Sequence, residues 1–167
     1  TLLSVIAGVK ILQQGSVNLF GLDVADKKAR DTLAYKVAFM PQGLGKNLYP
    51  TLSIYENIDF HARLFGLPKQ YRDSRIRRLL RATGLLPFSA RAAGKLSGGM
   101  KQKLSLCCAL VHNPDFLILD EPTTGVDPLS RRQFWQLVDA LRAENPAMTV
   151  IIATAYIDEA ENFEYVL

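Results

Sequence analysis

Apolar and polar positions along the 167-residue chain alternate between short hydrophobic runs and segments of helical period. Residues 34–40, 116–119 and 150–153 read as strands, and the last two carry no polar alternation. Such a strand is buried on both faces, as in a parallel sheet covered by helices on both sides. Helical spacing fills the intervals between them. Ser53-x-x-Glu56 is a capping box that opens a helix running to Gly66, with Ile54, Ile58 and Phe65 on its stripe. Residues 69–83 form a second helix, closed by Gly84, and 85–96 is an irregular link through Pro87 and Gly94. A third helix covers 100–111, with Leu104, Leu106, Cys107, Ala109, Leu110 and Val111 on a broad apolar face. In a fourth, reaching residue 142, Asp127 is the cap, Pro128 takes the first position, and Phe134, Leu137, Val138 and Leu141 share a side. The stretch 116–153 is therefore a strand, a helix and a strand, a right-handed crossover in a parallel sheet. At the ends, 1–8 reads as a helix stopping at Gly8, 13–21 as a turn and short strand, and 165–167 as part of another strand.

Composition narrows the class without naming a chemistry. With 49% hydrophobic and 22% charged residues, the chain suits one globular domain, able to bury about 70% of its unfolded surface. Its longest apolar run, near 150–155, is far short of the roughly 20 residues that span a bilayer, and no secretory signal is visible. Any membrane is expected to be met through another segment or another chain. The net charge of +4 is concentrated on Lys69, Arg72, Arg75, Arg77, Arg78 and Arg81, opposed in that helix by Asp73. A solvated helix face explains this; contact with RNA or anionic lipid is the alternative, and it lacks an aromatic stacking platform. Cys107 and Cys108 are adjacent within a helix and have no Cys or His cluster at metal spacing, so they read as buried thiols. His61 and His112 have no catalytic partners in the sequence and read as packing or surface residues.

Two stretches carry candidate chemistry. Ser97-Gly98-Gly99 opens a helix, where unsatisfied N–H groups and the positive dipole end suit a phosphate. Alone this is weak, because many helices begin with Ser-Gly. Asp120 and Glu121 stand at the carboxyl end of the 116–119 strand, where open α/β sheets bind ligands. One such carboxylate suits Mg²⁺ and the other a water to be activated, although a solvated strand end explains an isolated pair equally well. Gly43-Leu44-Gly45-Lys46 is not a phosphate loop: the first glycine of G-x-x-x-x-G-K-[ST] is missing, and Asn47 follows the lysine.

Taken in order, LSGGM at 96–100, LILDEP at 117–122 and Thr124-Gly125-Val126-Asp127 resemble the signature motif, Walker B motif and D-loop of an ATP-binding-cassette (ABC) nucleotide-binding domain. The resemblance covers essentially the whole chain. It implies an α/β fold, a P-loop NTPase-like parallel sheet core (1–49 and 97–167) with an inserted helical subdomain (50–96), lacking the N-terminal strands and phosphate loop. That loop, its lysine and its Mg²⁺-binding hydroxyl are expected upstream of Thr1, which would itself touch the α-phosphate. The 167 residues alone are then expected to bind ATP very weakly and not to turn it over.

The same resemblance implies roles for particular residues. Pro41-Gln42 becomes the Q-loop, with Gln42 touching Mg²⁺ or the attacking water. Asp120 holds Mg²⁺ and Glu121 activates water. Ser97, Gly98 and Gly99 bind the γ-phosphate of ATP held by a second ABC ATPase domain in a head-to-tail dimer, and Asp127 reaches across that interface. Leu48, Tyr49 and Phe60 would face a transmembrane permease domain, at the cytoplasmic face of the inner or plasma membrane. One departure stands out: Ala155 occupies the place of the switch histidine, which leaves hydrolysis in doubt. Thr154-Ala155-Tyr156 and its flanks, with MPQGLGKNLY and AGKLSGGMKQKLSLCCAL, resemble a subgroup associated with multidrug export and with the bacterial ribosome-associated ATPase. The expected function is ATP hydrolysis coupled to export. A ribosome-directed ATPase contacting RNA through the basic helix is the alternative, and an inert fragment is a third reading.

Overall fold

A computed structural model describes residues 2–160 and 163–166. Three parallel strands, β3 (Val37–Met40), β4 (Phe116–Asp120) and β5 (Thr149–Ala153), form a sheet in the order β3-β4-β5, with Val37 opposite Phe116 and Phe116 opposite Thr149. Around them run α1 (Leu2–Ile6), the two-residue strands β1 (Asn18–Leu19) and β2 (Leu22–Asp23), α2 (Lys27–Leu33), α3 (Ile54–Leu64), α4 (Lys69–Ala82), α5 (Gly98–Leu110), α6 (Pro128–Glu144) and α7 (Ile157–Ala160). The central strand β4 is buried from Phe116 to Leu119, as its unbroken apolar run requires.

Successive side chains of each strand point to opposite faces, and each face builds its own core. Ala38, Met40, Leu117, Leu119, Val150 and Ile152 join the larger cluster, with Ile54, Ile58, Leu80, Leu104 and Phe134 from the helices. Val37, Phe39, Phe116, Ile118, Ile151 and Ala153 join the smaller one, with Leu3, Val24 and Leu33. The segment 50–96 contributes α3 and α4 to the larger cluster, where both pack on α5.

Several expectations shift in detail. The strand expected from residue 34 begins at Val37, because Ala34 caps α2 and its N–H returns to the Arg30 carbonyl. Helix α2 was not foreseen; seven largely polar residues carry no stripe, and its start is set by Asp26 accepting from the Ala29 N–H at 3.0 Å. The expected turn and short strand is a hairpin whose turn, Phe20-Gly21, has both φ values positive at 52° and 77°. Tyr165 and Val166 lie in no strand and are largely exposed, contrary to expectation.

The basic helix differs most. Arg72 donates to Asp59 at 2.8 Å and to the Leu67 carbonyl at 2.9 Å, Arg75 donates to the Leu110 carbonyl at 3.1 Å, and Arg78 meets Glu144 at 2.7 Å. Half of the supposed solvated face therefore fastens α4 to its neighbours, and Arg75 caps the carbonyl end of α5. A face with three of six cations committed is a poor RNA platform.

Candidate functional site

The carboxyl ends of β3 and β4 bring together two residues 79 apart in sequence: Gln42 Nε2 donates to Glu121 Oε2 at 3.3 Å. This follows from register, since Met40 pairs with Leu119 and each chain leaves the sheet within two residues. Thr124 Oγ1 donates to the same Glu121 oxygen at 2.8 Å. Among the described residues no donor reaches Oε1, so one oxygen is anchored and the other stays open. Glu121 has left-handed backbone (φ 46°), a conformation costing an ordinary residue roughly 1–2 kcal/mol. Its N–H donates to the Ala153 carbonyl at 2.8 Å, which holds that turn against the tip of β5.

Asp120 ends β4, half-buried, and its carboxylate has no hydrogen bond or ion pair among the described residues. An unpaired carboxylate at a strand tip, next in sequence to the glutamate that Gln42 bonds, offers hard oxygen donors of the kind that fit Mg²⁺. Pro122 is tied from below: its carbonyl accepts from the buried Gln102 of α5.

The signature residues open α5. Ser97 caps α5, its Oγ accepting from the Met100 N–H at 3.3 Å, while its own proton stays available. No acceptor among the described residues takes the N–H groups of Gly98 and Gly99. Gly99 is glycine for a packing reason as well: a Cβ there would lie 2.6 Å from Ser130 Oγ and 2.7 Å from Ser130 Cβ. Gly98 faces the Gly125 carbonyl and Leu44, whose side chain rests against both glycines. Asp127 caps α6, accepting from the Ser130 N–H at 2.9 Å. That hydrogen bond holds its carboxyl below the usual range. Ser97, Gly98, Gly125, Asp127 and Leu44 thus lie together, with Gly99 buried beneath them against Ser130. No hydrogen bond joins Ser97 or Asp127 to Asp120 or Glu121. Thr1 lies outside the described residues.

Ala155 is exposed at the turn after β5 and offers no polar atom beyond its backbone. Its neighbours are firmly held. Thr154 Oγ1 donates to Glu159 Oε2 at 2.5 Å, Thr123 Oγ1 donates to Glu159 Oε1 at 2.7 Å, and Arg131 Nε is 3.9 Å from the same carboxylate. Arg131 also covers the Tyr156 ring at 3.9 Å. Gln102, Thr123, Thr124, Thr154 and Glu159 were given no role by the sequence, although they lie within or beside the quoted motifs. Thr124 acts on Glu121 within one turn, and the others act through a partner on another element or loop.

Both histidines are packing residues. His61 Nε2 is 3.1 Å from the Asn47 carbonyl oxygen, and His112 stacks on Phe65 with centroids 3.8 Å apart.

The sequence model of the ABC transporter family matches residues 1–124. A probable multidrug ABC transporter ATP-binding protein, YbhF of Escherichia coli (strain K12), is 44% identical over the whole chain, which covers 28% of YbhF. The linearmycin resistance ATP-binding protein LnrL of Bacillus subtilis (strain 168) is 33% identical over 96% of the chain and half of LnrL. The chain thus spans well under two thirds of these relatives. Among solved structures, the cassette MJ0796, a dimer in a post-hydrolysis state bound to ADP and Pi, superposes with a TM-score of 0.79 at 25% identity, covering 94% of this chain and 69% of that one. The cbiO1 subunit of Clostridium perfringens, part of the transporter complex cbiONQ, gives 0.82 at 27% identity over 94% and 62%. A ribosome-directed role gains no support from these relatives. With the strand-tip carboxylates, the helix-capping signature and these likenesses in agreement, the chain belongs to the ABC transporter family, as part of an ATP-binding domain.

Proposed function

We propose that this chain supplies the hydrolytic half-site of an ABC exporter's ATPase. The observation that carries the reading is the meeting of Gln42 and Glu121 beside the unpaired Asp120. ATP supplies the phosphoryl group, and Asp120 and Gln42 would hold a Mg²⁺ ion, whose charge would offset that of the phosphates. Glu121 Oε1 accepts the proton of the attacking water while Oε2 stays anchored, as a general base needs. Ser97, through its free hydroxyl proton, and the N–H groups of Gly98 and Gly99 present donors to a phosphate. These donors would serve a nucleotide bound by a second ATPase domain, with Asp127 facing that partner. The dimeric MJ0796 cassette is consistent with such pairing.

Residues 50–96 act as a helical subdomain that Gln42 links to the site. Tyr49, half-exposed and packed edge-on to Phe60 at 4.7 Å, offers an aromatic surface to a transmembrane permease domain. No helix among the described residues is long and apolar enough to cross a membrane. The docking we propose is peripheral, at the cytoplasmic face. The export reading leans on relatives named for a multidrug ABC transporter and for linearmycin resistance.

The test is Mg²⁺-dependent ATPase activity of the full-length protein containing this chain. Glu121→Gln is expected to lower kcat by about 10²–10⁴-fold, the usual worth of a general base. Undiminished hydrolysis would remove Glu121 from the role.

A further inference from the structure

The carboxylate most deeply buried in the described chain takes no part in the chemistry just outlined. Glu159, 3% exposed, receives a hydrogen bond from Thr123 on the loop after β4 and another from Thr154 on the loop after β5. Thr154 Oγ1 in turn accepts from the Tyr156 N–H at 3.1 Å, which fixes the turn around Ala155. Arg131 of α6 stands 3.9 Å from the carboxylate and covers the Tyr156 ring, so the buried charge has a counterion that also packs on the same turn. Burying a carboxylate is costly, and retaining one implies partners that depend on it.

Helix α7 is one turn long and its Ile157 is 81% exposed. Ala155 contributes no side-chain hydrogen bond, and the loop after β4 carries the strained Glu121 two residues before Thr123.

We infer that Glu159 is a positioning residue: its carboxylate locks the β4 and β5 loops together and holds Glu121 and the residue-155 turn at a set spacing. The inference rests on the ATPase reading for its kinetic consequence, but the tether itself is independent of activity.

The experiment uses the full-length protein and two readouts. The first is hydrogen exchange of the 154–160 backbone in Thr123→Val, a near-isosteric change on the other loop. Faster exchange there, with the rest of the domain unchanged, is expected; unchanged exchange overturns the tether. The second is steady-state ATPase kinetics. Glu159→Ala is expected to lower kcat by about ten- to a hundredfold with little change in KM for ATP, the size typical of small misplacement. Thr123→Val and Thr154→Val should each show part of that loss and add little to Glu159→Ala. Glu159→Gln, whose oxygen and amide can still serve both hydroxyls, should keep most of the activity. Parental kcat in Glu159→Ala, or a loss matching only a fall in folded protein, overturns the positioning role. A full-length protein with no hydrolysis at all defeats the ATPase reading instead, and the exchange result then decides the tether alone.

Discussion

Glu121 shows how a single residue is prepared for one task. Its backbone sits at a φ of 46°, its N–H is tied to Ala153, and one carboxylate oxygen accepts from both Gln42 and Thr124. Strain of this kind persists only where the surroundings impose it. Thr124 is the nearer donor, at 2.8 Å against 3.3 Å. Thr124→Val should therefore cost about tenfold in kcat, the value of one hydrogen bond to a charged group, while KM for ATP stays put. Thr124→Ser should restore the rate; an equal defect in both variants would show that the methyl group, not the hydroxyl, matters. The sequence pointed to Glu121 and Gln42 because their motifs are recognisable. It placed Thr124 in a recognisable motif but gave it no role, because a threonine three residues after a glutamate is an ordinary turn residue until the backbone bends it back.

At the scale of elements, local signals predicted boundaries well where capping chemistry is explicit. The Ser53 capping box forms in both directions, at 3.2 Å and 2.8 Å, and α3 starts where it says. Asn57 one turn later was invisible, yet it is fully buried. It accepts from the Tyr49 N–H at 2.8 Å and donates to the Tyr49, Leu52 and Ser53 carbonyls. It organises the loop leading from the Q-loop into α3. Asn57→Ala should destabilise by about 2–4 kcal/mol, since several buried backbone groups lose their partner at once; chemical denaturation would measure it. Asp59 is similar in kind: burial pushes its carboxyl up, but the Arg72 and Arg63 guanidinium groups outweigh this and leave it low.

For the molecule as a whole, the larger core runs from α3 and α4 through α5 to the sheet and α6, so these parts share one apolar interior. Cys107 and Cys108 lie within it, 1% exposed, and burial pushes the Cys107 thiol up to about 12. Neither should react with a thiol reagent in the native state, and labelling should follow the global unfolding transition. Labelling well before that transition would show that α5 opens separately. Stability should also fall on mild acidification. Burial pushes His112 from 6.5 down to about 4, so between those values the unfolded chain binds the proton more readily and the folded state loses ground. The loss should be ~2–3 kcal/mol, and His112→Leu should flatten that limb of the stability–pH curve.

By itself the sequence determined the fold class and the chemistry-bearing motifs. Both depend on short-range features: an apolar run of four, a Ser-Gly-Gly start, and adjacent carboxylates after a strand. Tertiary structure alone decided what those motifs touch. Register placed Gln42 against Glu121, close helix approach required Gly99 opposite Ser130, and burial turned Glu159 from a surface-looking acid into a bridge between loops. Pairings across tens of residues depend on how strands and helices align in space. A linear pattern of residue types carries that alignment only collectively, through the whole core.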